Sequence, residues 1–236
     1  SVSNSLYSIN IRDVFQDSKK RIWVATRNGL NLFEPRTKTF KRFLHNPRAD
    51  GTTLRDYHGR HYIQAIVEDR DGLLWLGTRG GGLLSFDPNT EAVREFRSES
   101  GVTAEFIYTI AKDSLNNLWL GTSNGLMRFS LLDKRVVEVY TMIDGLLSNE
   151  FNTWSSVNLH DGRIAMGGLN GYQIFDPKDL VENKVPPPVS ISRIEVNGTE
   201  YLSSVSSWKL SMLQLPYTQN TISIEFSCPE YAQIGR

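Results

Sequence analysis

Two histidines three residues apart, His58 and His61, stand with Asp56 in the stretch DYHGRH. That spacing lets two imidazoles reach one metal ion, but no third ligand is identifiable, and solvated loop histidines are the commoner outcome. A role in proton transfer lacks a visible partner. Arg79-Gly80-Gly81-Gly82 has the glycines of an anion-binding loop. No helix follows it, and a phosphate loop needs the helix N-terminus, so the stretch reads as a turn. Ser and Asp are plentiful, yet neither a nucleophile elbow nor a zinc-protease word occurs. No residue is assigned as catalytic or as a metal ligand, and no cofactor is expected.

What remains is recognition chemistry. Arg27, Asn28, Arg55, His58, Arg60, His61, Arg79, Asn124, Asn149, Trp154 and Asn170 supply planar donors, amides and an aromatic ring. Such groups suit a sugar ring, or an acidic saccharide if the arginines converge. The plainer reading is an ordinary polar rim. Scattered as they are, these residues can act together only if a repeated backbone brings them to one face.

That repeat is legible. LWLGTSNGLMRF (118–129) returns earlier as IWVATRNGLNLF (22–33) and LWLGTRGGGLLSF (74–86), and later, eroded, as IAMGGLNGYQIF (164–175). Six residues before Trp23, Trp75 and Trp119 stand Asp17, Asp69 and Asp113. Six before those stand Ile11, Ile63 and Ile107. In the fourth copy Ala165 replaces the Trp and Leu159 the Asp, while Gly171 and Phe175 keep their places. Residues repeated once per unit are framework rather than function, so the Trp and Asp are not counted as site residues.

Within a unit the apolar runs are short, rich in Ile, Val, Trp and Phe, and bounded by Asp, Gly, Asn and Pro, which predicts strands. In the third unit these are 107–112, 117–121, 125–130 and 135–140. Four short strands recurring every 44 to 52 residues have the period of a β-propeller blade, so the chain is all-β. The second strand's turn into the third, and the fourth strand's connection to the next blade, then share one face around the central channel. The candidate residues fall on that face, two of its long connections being 44–62 and 141–152.

Blades are expected at about 6–45, 62–98, 106–141 and 151–180, making 1–185 the propeller part. Pro186-Pro187-Pro188 is a stiff spacer, and 186–236 reads as further strands, including 208–216, with turns at Asn197-Gly198 and Pro216: half of a small β-sandwich. The 26 basic and 26 acidic residues balance and mix along the chain, so no nucleic-acid surface is expected. One cysteine excludes an intrachain disulfide. The chain has no apolar run long enough for a membrane helix and no signal-peptide start, and it reads as cut from something longer.

The phrase I-x-x-I-x-x-D-x-x-x-x-L-W-x-G-T-x-x-G-L with a following Asp-Pro turn resembles the two-component regulator propeller repeat. DGLLSNEFN followed by GGLNGYQIFDP is similar to the last blade of such propellers. The segment LPYTQNTISIEFSCPEY resembles the opening half of the triple-tyrosine β-sandwich that follows them. The resemblance implies the periplasmic sensor of a hybrid two-component histidine kinase: an inner-membrane parent that binds an oligosaccharide outside and drives phosphoryl transfer inside, this segment being no enzyme. Family propellers commonly close with seven blades where this chain supplies four, so a homodimer or interchain packing of arcs is expected. Two other readings stand beside it: a propeller lyase or hydrolase acting on polysaccharide, and an interaction scaffold with no small-molecule ligand.

Overall fold

Each apolar run of the repeat folds as an antiparallel strand whose alternating side chains pack against a neighbouring blade. The structure, a computed structural model, describes residues 2–3, 5–6, 8–45, 59–180, 189–201 and 212–227. Blade 1 holds β1 (Val2–Ser3), β2 (Ile11–Gln16), β3 (Ile22–Thr26), β4 (Gly29–Glu34) and β5 (Thr39–Phe43), in the order β1-β5-β4-β3-β2. Blade 2 holds β6 (Gly59–Glu68), β7 (Leu74–Arg79), β8 (Leu83–Phe86) and β9 (Val93–Phe96) in sequence order. Blade 3 holds β10 (Ile107–Lys112), β11 (Asn117–Thr122), β12 (Gly125–Ser130) and β13 (Arg135–Tyr140), matching the strands read from the sequence with β11 one residue longer. Blade 4 has three strands, β14 (Phe151–Asn158), β15 (Ile164–Gly168) and β16 (Gly171–Phe175).

The innermost strands pack in series, β2 on β6, β6 on β10 and β10 on β14. Between blades, each buried Trp meets the closing Phe of the next unit: Trp23 and Phe86 at 5.7 Å between centroids, Trp75 and Phe129 at 5.4 Å, Trp119 and Phe175 at 4.9 Å. The repeated Asp holds each indole. Trp23, Trp75 and Trp119 donate from Nε1 to Oδ2 of Asp17, Asp69 and Asp113 at 2.9, 2.8 and 3.0 Å. The other carboxylate oxygen accepts backbone N–H groups of the turn, from Arg21, from Asp71 and Leu73, and from Leu115 and Asn117. A buried indole N–H without an acceptor is costly, so donor and acceptor disappear together in blade 4, as Ala165 and Leu159.

The two ends of the series are uncovered in this chain. Ile66 and Ile110 are 6% and 7% exposed under the preceding blade, whereas Val14 at the same repeat position is 61% exposed. At the far end Tyr172 is 71% exposed where Leu30, Leu83 and Leu126 are buried. Ile110→Ala is therefore expected to cost about 2–5 kcal/mol and Val14→Ala no more than about 0.5 kcal/mol in urea unfolding; equal costs would show that Val14 is packed after all.

The chain divides into two compact units, Ser1–Val181 and Glu182–Arg236. In the second, β17 (Ser190–Val196) pairs with β18 (Thr199–Glu200) and β19 (Ile222–Ser227). Asn197 and Gly198, at φ of 50° and 77°, make the tight hairpin turn expected of an Asn-Gly pair. Of the strand expected over 208–216, residues 208–211 lie outside the described residues and 212–216 are not strand. Among the described residues no helix is long and apolar enough to cross a membrane.

Candidate functional site

Backbone hydrogen bonds tie the turns between second and third strands to the connections leading into first strands. Gly80 N donates to Glu105 O (2.6 Å), Ser123 N to Phe106 O (3.2 Å), Gly125 N to Asn149 O (2.6 Å) and Leu169 N to Glu150 O (3.2 Å). In blades 1 to 3 the turn is braced from within by a buried threonine. Thr26, Thr78 and Thr122 donate from Oγ1 to the carbonyls of Gly29, Gly82 and Gly125 and accept from the N–H of Asn28, Gly81 and Asn124. In blade 2 the glycine with positive φ at the head of the third strand is Gly82, at 73°, so the extra residue of that unit precedes it; spacing from Trp75 alone points to Gly81.

The face so formed carries a cluster of cations on one aromatic ring. Tyr62, 1% exposed, immediately precedes the framework Ile63 on β6. The guanidinium carbons of Arg12, Arg27 and Arg79 lie 5.2, 5.7 and 5.7 Å from its centroid. Arg12 comes from β2, Arg27 from the turn after β3, and Arg79 from the end of β7. Arg79 also lies 5.0 Å from the Phe106 ring, which enters from the connection before β10, and Arg12 lies 6.0 Å from the Trp154 ring on β14. All four blades thus contribute. A ring face attracts each guanidinium, yet the three like charges repel one another.

Arg12 and Arg79 have no hydrogen bond or ion pair among the described residues, and the Nε of each is buried without a partner. Other arginines of the fold are ion-paired: Arg21 with Asp17 and Arg128 with Glu138, although the Nε of Arg128 is likewise buried without a partner. Two carboxylates near the cluster's elements are engaged elsewhere. Asp13 Oδ2 accepts from Ile66 N at 2.8 Å, and Glu150 Oε1 accepts from Tyr108 Oη at 3.3 Å. Burial, then the Glu150 charge and hydrogen bond, push the Tyr108 pKa up, offset in part by Arg79.

Trp154 sits on a bulge. Phe151 pairs with Gly168 and Ser156 with Met166, whereas the matching positions of β10 that flank the bulge, Ile107 and Ile110, are only three apart. The two additional residues let Trp154 adopt φ of 57°, a backbone region that costs a bulky side chain energy, and leave its indole 58% exposed.

Of the residues expected to recognise a ligand, the structure brings together Arg27, Arg79 and Trp154. Arg55 and His58 lie outside the described residues, as does the side chain of Arg60. His61 is directed away from the cluster: its Nδ1 donates to Leu44 O at 2.6 Å, in a cleft between blades 1 and 2 lined by Arg42, His45 and Glu91. Burial, then the positive charges of the N-terminus, Arg42 and His61, lower the His45 pKa there. Asn149 and Asn170 spend their amides on the connection itself, Asn149 Oδ1 accepting from Met142 N and Asn170 Nδ2 donating to Leu147 O. Asn28 is buried and Asn124 exposed at their turns. Among the described residues no group of His, Cys, Asp and Glu could hold a metal ion.

Arg12, Tyr62 and Phe106 are not among the residues expected from the sequence. The signal for them lies beside the framework isoleucines: the preceding positions read Asn10, Tyr62 and Phe106, and the following ones Arg12, Gln64 and Tyr108, varying where Ile11, Ile63 and Ile107 do not.

Comparison with known proteins follows the same repeat. The two-component regulator propeller family matches residues 8–28, 58–80 and 101–124, the stretch from the first strand to the turn between second and third strands in blades 1 to 3. Histidine kinase P4 of Formosa agariphila is 25% identical over 239 residues, covering 96% of this chain and 17% of that protein. The extracellular domain assigned to the hybrid two component system BT4673 of B. thetaiotaomicron superposes with a TM-score of 0.54 at 21% identity, over 95% of this chain and 28% of that one. A streptogramin B lyase superposes with a TM-score of 0.50 at 15% identity, over 76% of this chain and 58% of that one. At these identities the superpositions show the propeller fold, and the chain spans less than a third of Histidine kinase P4 and of the BT4673 domain.

Proposed function

We propose that this chain is the ligand-sensing part of a hybrid two-component histidine kinase, exposed in the periplasm and carried by a parent anchored in the inner membrane. The observation that carries the reading is the propeller repeat itself, read with a face to which four blades bring aromatic rings and planar donors. An oligosaccharide is the ligand class those groups suit, since rings stack on aromatic faces while planar donors read hydroxyls. The second unit is the opening half of a triple-tyrosine sandwich, and the uncovered ends of the blade series pack against further blades or a second chain. Ligand binding then acts by favouring one packing of the assembly over another, because a ligand shifts an equilibrium only by its differential affinity for the two states.

The sensor reading expects binding without turnover. A lyase on this face needs a proton-transfer group, and Tyr108, the phenol at hand, holds its proton more tightly than in water. Calorimetry of an oligosaccharide panel against the intact ectodomain and against this chain, with chromatography of the recovered sugars, is the test. Heat of binding with sugars recovered intact is the expected result. Cleaved or eliminated product would make the chain an enzyme, and an ectodomain silent to every sugar would make it a scaffold.

A further inference from the structure

We propose that Arg12, Arg27 and Arg79 around Tyr62 form an oxyanion site, so that the ligand read by these blades carries a carboxylate or sulfate group: an acidic rather than a neutral saccharide. The ligand class rests on the sensing reading above; the oxyanion site does not. The first argument is charge. Three guanidiniums are held within 5.7 Å of one buried ring, and the described residues place no carboxylate in an ion pair with Arg12 or Arg79. Elsewhere the fold does pair its arginines with carboxylates, as at Arg21 and Arg128.

The second argument is unmet hydrogen bonding. Arg12 Nε and Arg79 Nε are buried and donate to nothing among the described residues, and buried donors are ordinarily paired. A planar carboxylate or a tetrahedral sulfate is the acceptor whose geometry matches guanidinium forks arriving from different directions. Contact with Tyr62 and Phe106 holds the guanidiniums at the site before the ligand arrives, which lowers the ordering cost of binding.

The third argument concerns what the anion is attached to. The indole of Trp154 lies 6.0 Å from the Arg12 guanidinium and is 58% exposed. It offers a flat apolar face beside the cation cluster, as a sugar ring bearing an acidic substituent requires. A free inorganic anion would use the arginines and leave the indole idle.

The test uses the whole 236-residue chain. Sodium sulfate is titrated at constant ionic strength against chloride, with heteronuclear NMR of the arginine Nε–H groups and the melting temperature as readouts. Wild type is expected to show saturable shifts at Arg12, Arg27 and Arg79 and a rise in melting temperature, with the Arg27 shift and the rise in melting temperature both lost in Arg12→Gln/Arg79→Gln. Arg79→Lys, which keeps the charge and loses the fork, is expected to bind at least about threefold more weakly than wild type. Sulfate shifts of equal size in wild type and the double variant would overturn the site. Trigalacturonate and its methyl ester then assign the ligand class. The acid is expected to bind at least about tenfold more tightly than the ester, and Trp154→Ala to weaken the acid while leaving sulfate unchanged. Equal affinity for acid and ester would remove the acidic-saccharide assignment while leaving oligosaccharide sensing intact. Sulfate binding with no sugar bound by either this chain or the ectodomain would remove the sensing reading and the ligand class that rests on it, while leaving the oxyanion site in place.

Discussion

Trp75→Ala is expected to lower folding stability by about 3–5 kcal/mol, among the largest losses any single side chain in the blades can cause. The indole is fully buried and contacts Phe96 of its own blade at 5.2 Å and Phe129 of the next at 5.4 Å, so truncation opens a cavity at a seam between blades. Asp69→Ala should cost about 1–3 kcal/mol, because it leaves the Trp75 indole N–H and the Asp71 and Leu73 N–H groups without their acceptor. The two losses are not independent. In a Trp75→Phe background, which removes the donor and keeps most of the ring, Asp69→Ala should cost less by about 0.5–3 kcal/mol. A double-mutant cycle by denaturant unfolding measures this, and a coupling of zero would show that the hydrogen bond contributes nothing.

The same arrangement at blade 1 adds a dependence on pH. Burial raises the pKa of Asp17, but the hydrogen bonds from Trp23 Nε1, Arg21 N and the Arg21 side chain, with the Arg21 charge, outweigh it and hold the carboxyl below its ordinary value of 3.8. A carboxyl depressed in the folded state contributes stability that is present above its unfolded pKa and lost as pH falls through the folded one. Asp17→Asn should therefore flatten the acid limb of the stability curve below about pH 4.

The repeat made the framework readable because its residues answer to backbone constraints that recur: Trp, Asp and Gly occupy equivalent places in every blade that has a full seam. The loss of both Asp and Trp in blade 4 is legible too, once the indole N–H is seen to need the carboxylate. The recognition face was legible only in part. Arg27 and Arg79 flank turns that the repeat locates, and Trp154 stands out as an aromatic off the framework. Arg12 and Tyr62 are fifty residues apart, and nothing local says that adjacent inner strands carry them to one another. Two local slips also depend on pairing. Gly82 rather than Gly81 takes the positive φ, because Thr78 N–H and Oγ1–H both donate to its carbonyl. The bulge in β14 puts Phe151, not a residue counted back from Leu159, opposite Gly168.

Gly125→Ala and Gly171→Ala separate backbone strain from close packing at one position of the repeat. Both glycines open the third strand of a blade, with φ of 115° and 121°, so an alanine meets nearly the same conformational penalty at each, about 1–2 kcal/mol. Their surroundings differ. A Cβ on Gly125 would stand 2.3 Å from the carbonyl oxygen of Tyr140, the last residue of the blade's outer strand, as one on Gly29 would stand 2.5 Å from Phe43 O and one on Gly82 2.5 Å from Phe96 O. Among the described residues blade 4 has no fourth strand in its sheet, and a Cβ on Gly171 would meet only Leu147 Cδ1, at 3.8 Å. Gly125→Ala must therefore push β13 away from β12 and is expected to cost about 1–3 kcal/mol more than Gly171→Ala. It should also loosen the 141–149 connection, since Gly125 N is bonded to Asn149 O. Urea unfolding of the two variants, with amide exchange read at Gly125 and Leu146, decides the matter. Equal losses would mean that the glycine is kept for its φ alone and that the outer strand yields freely.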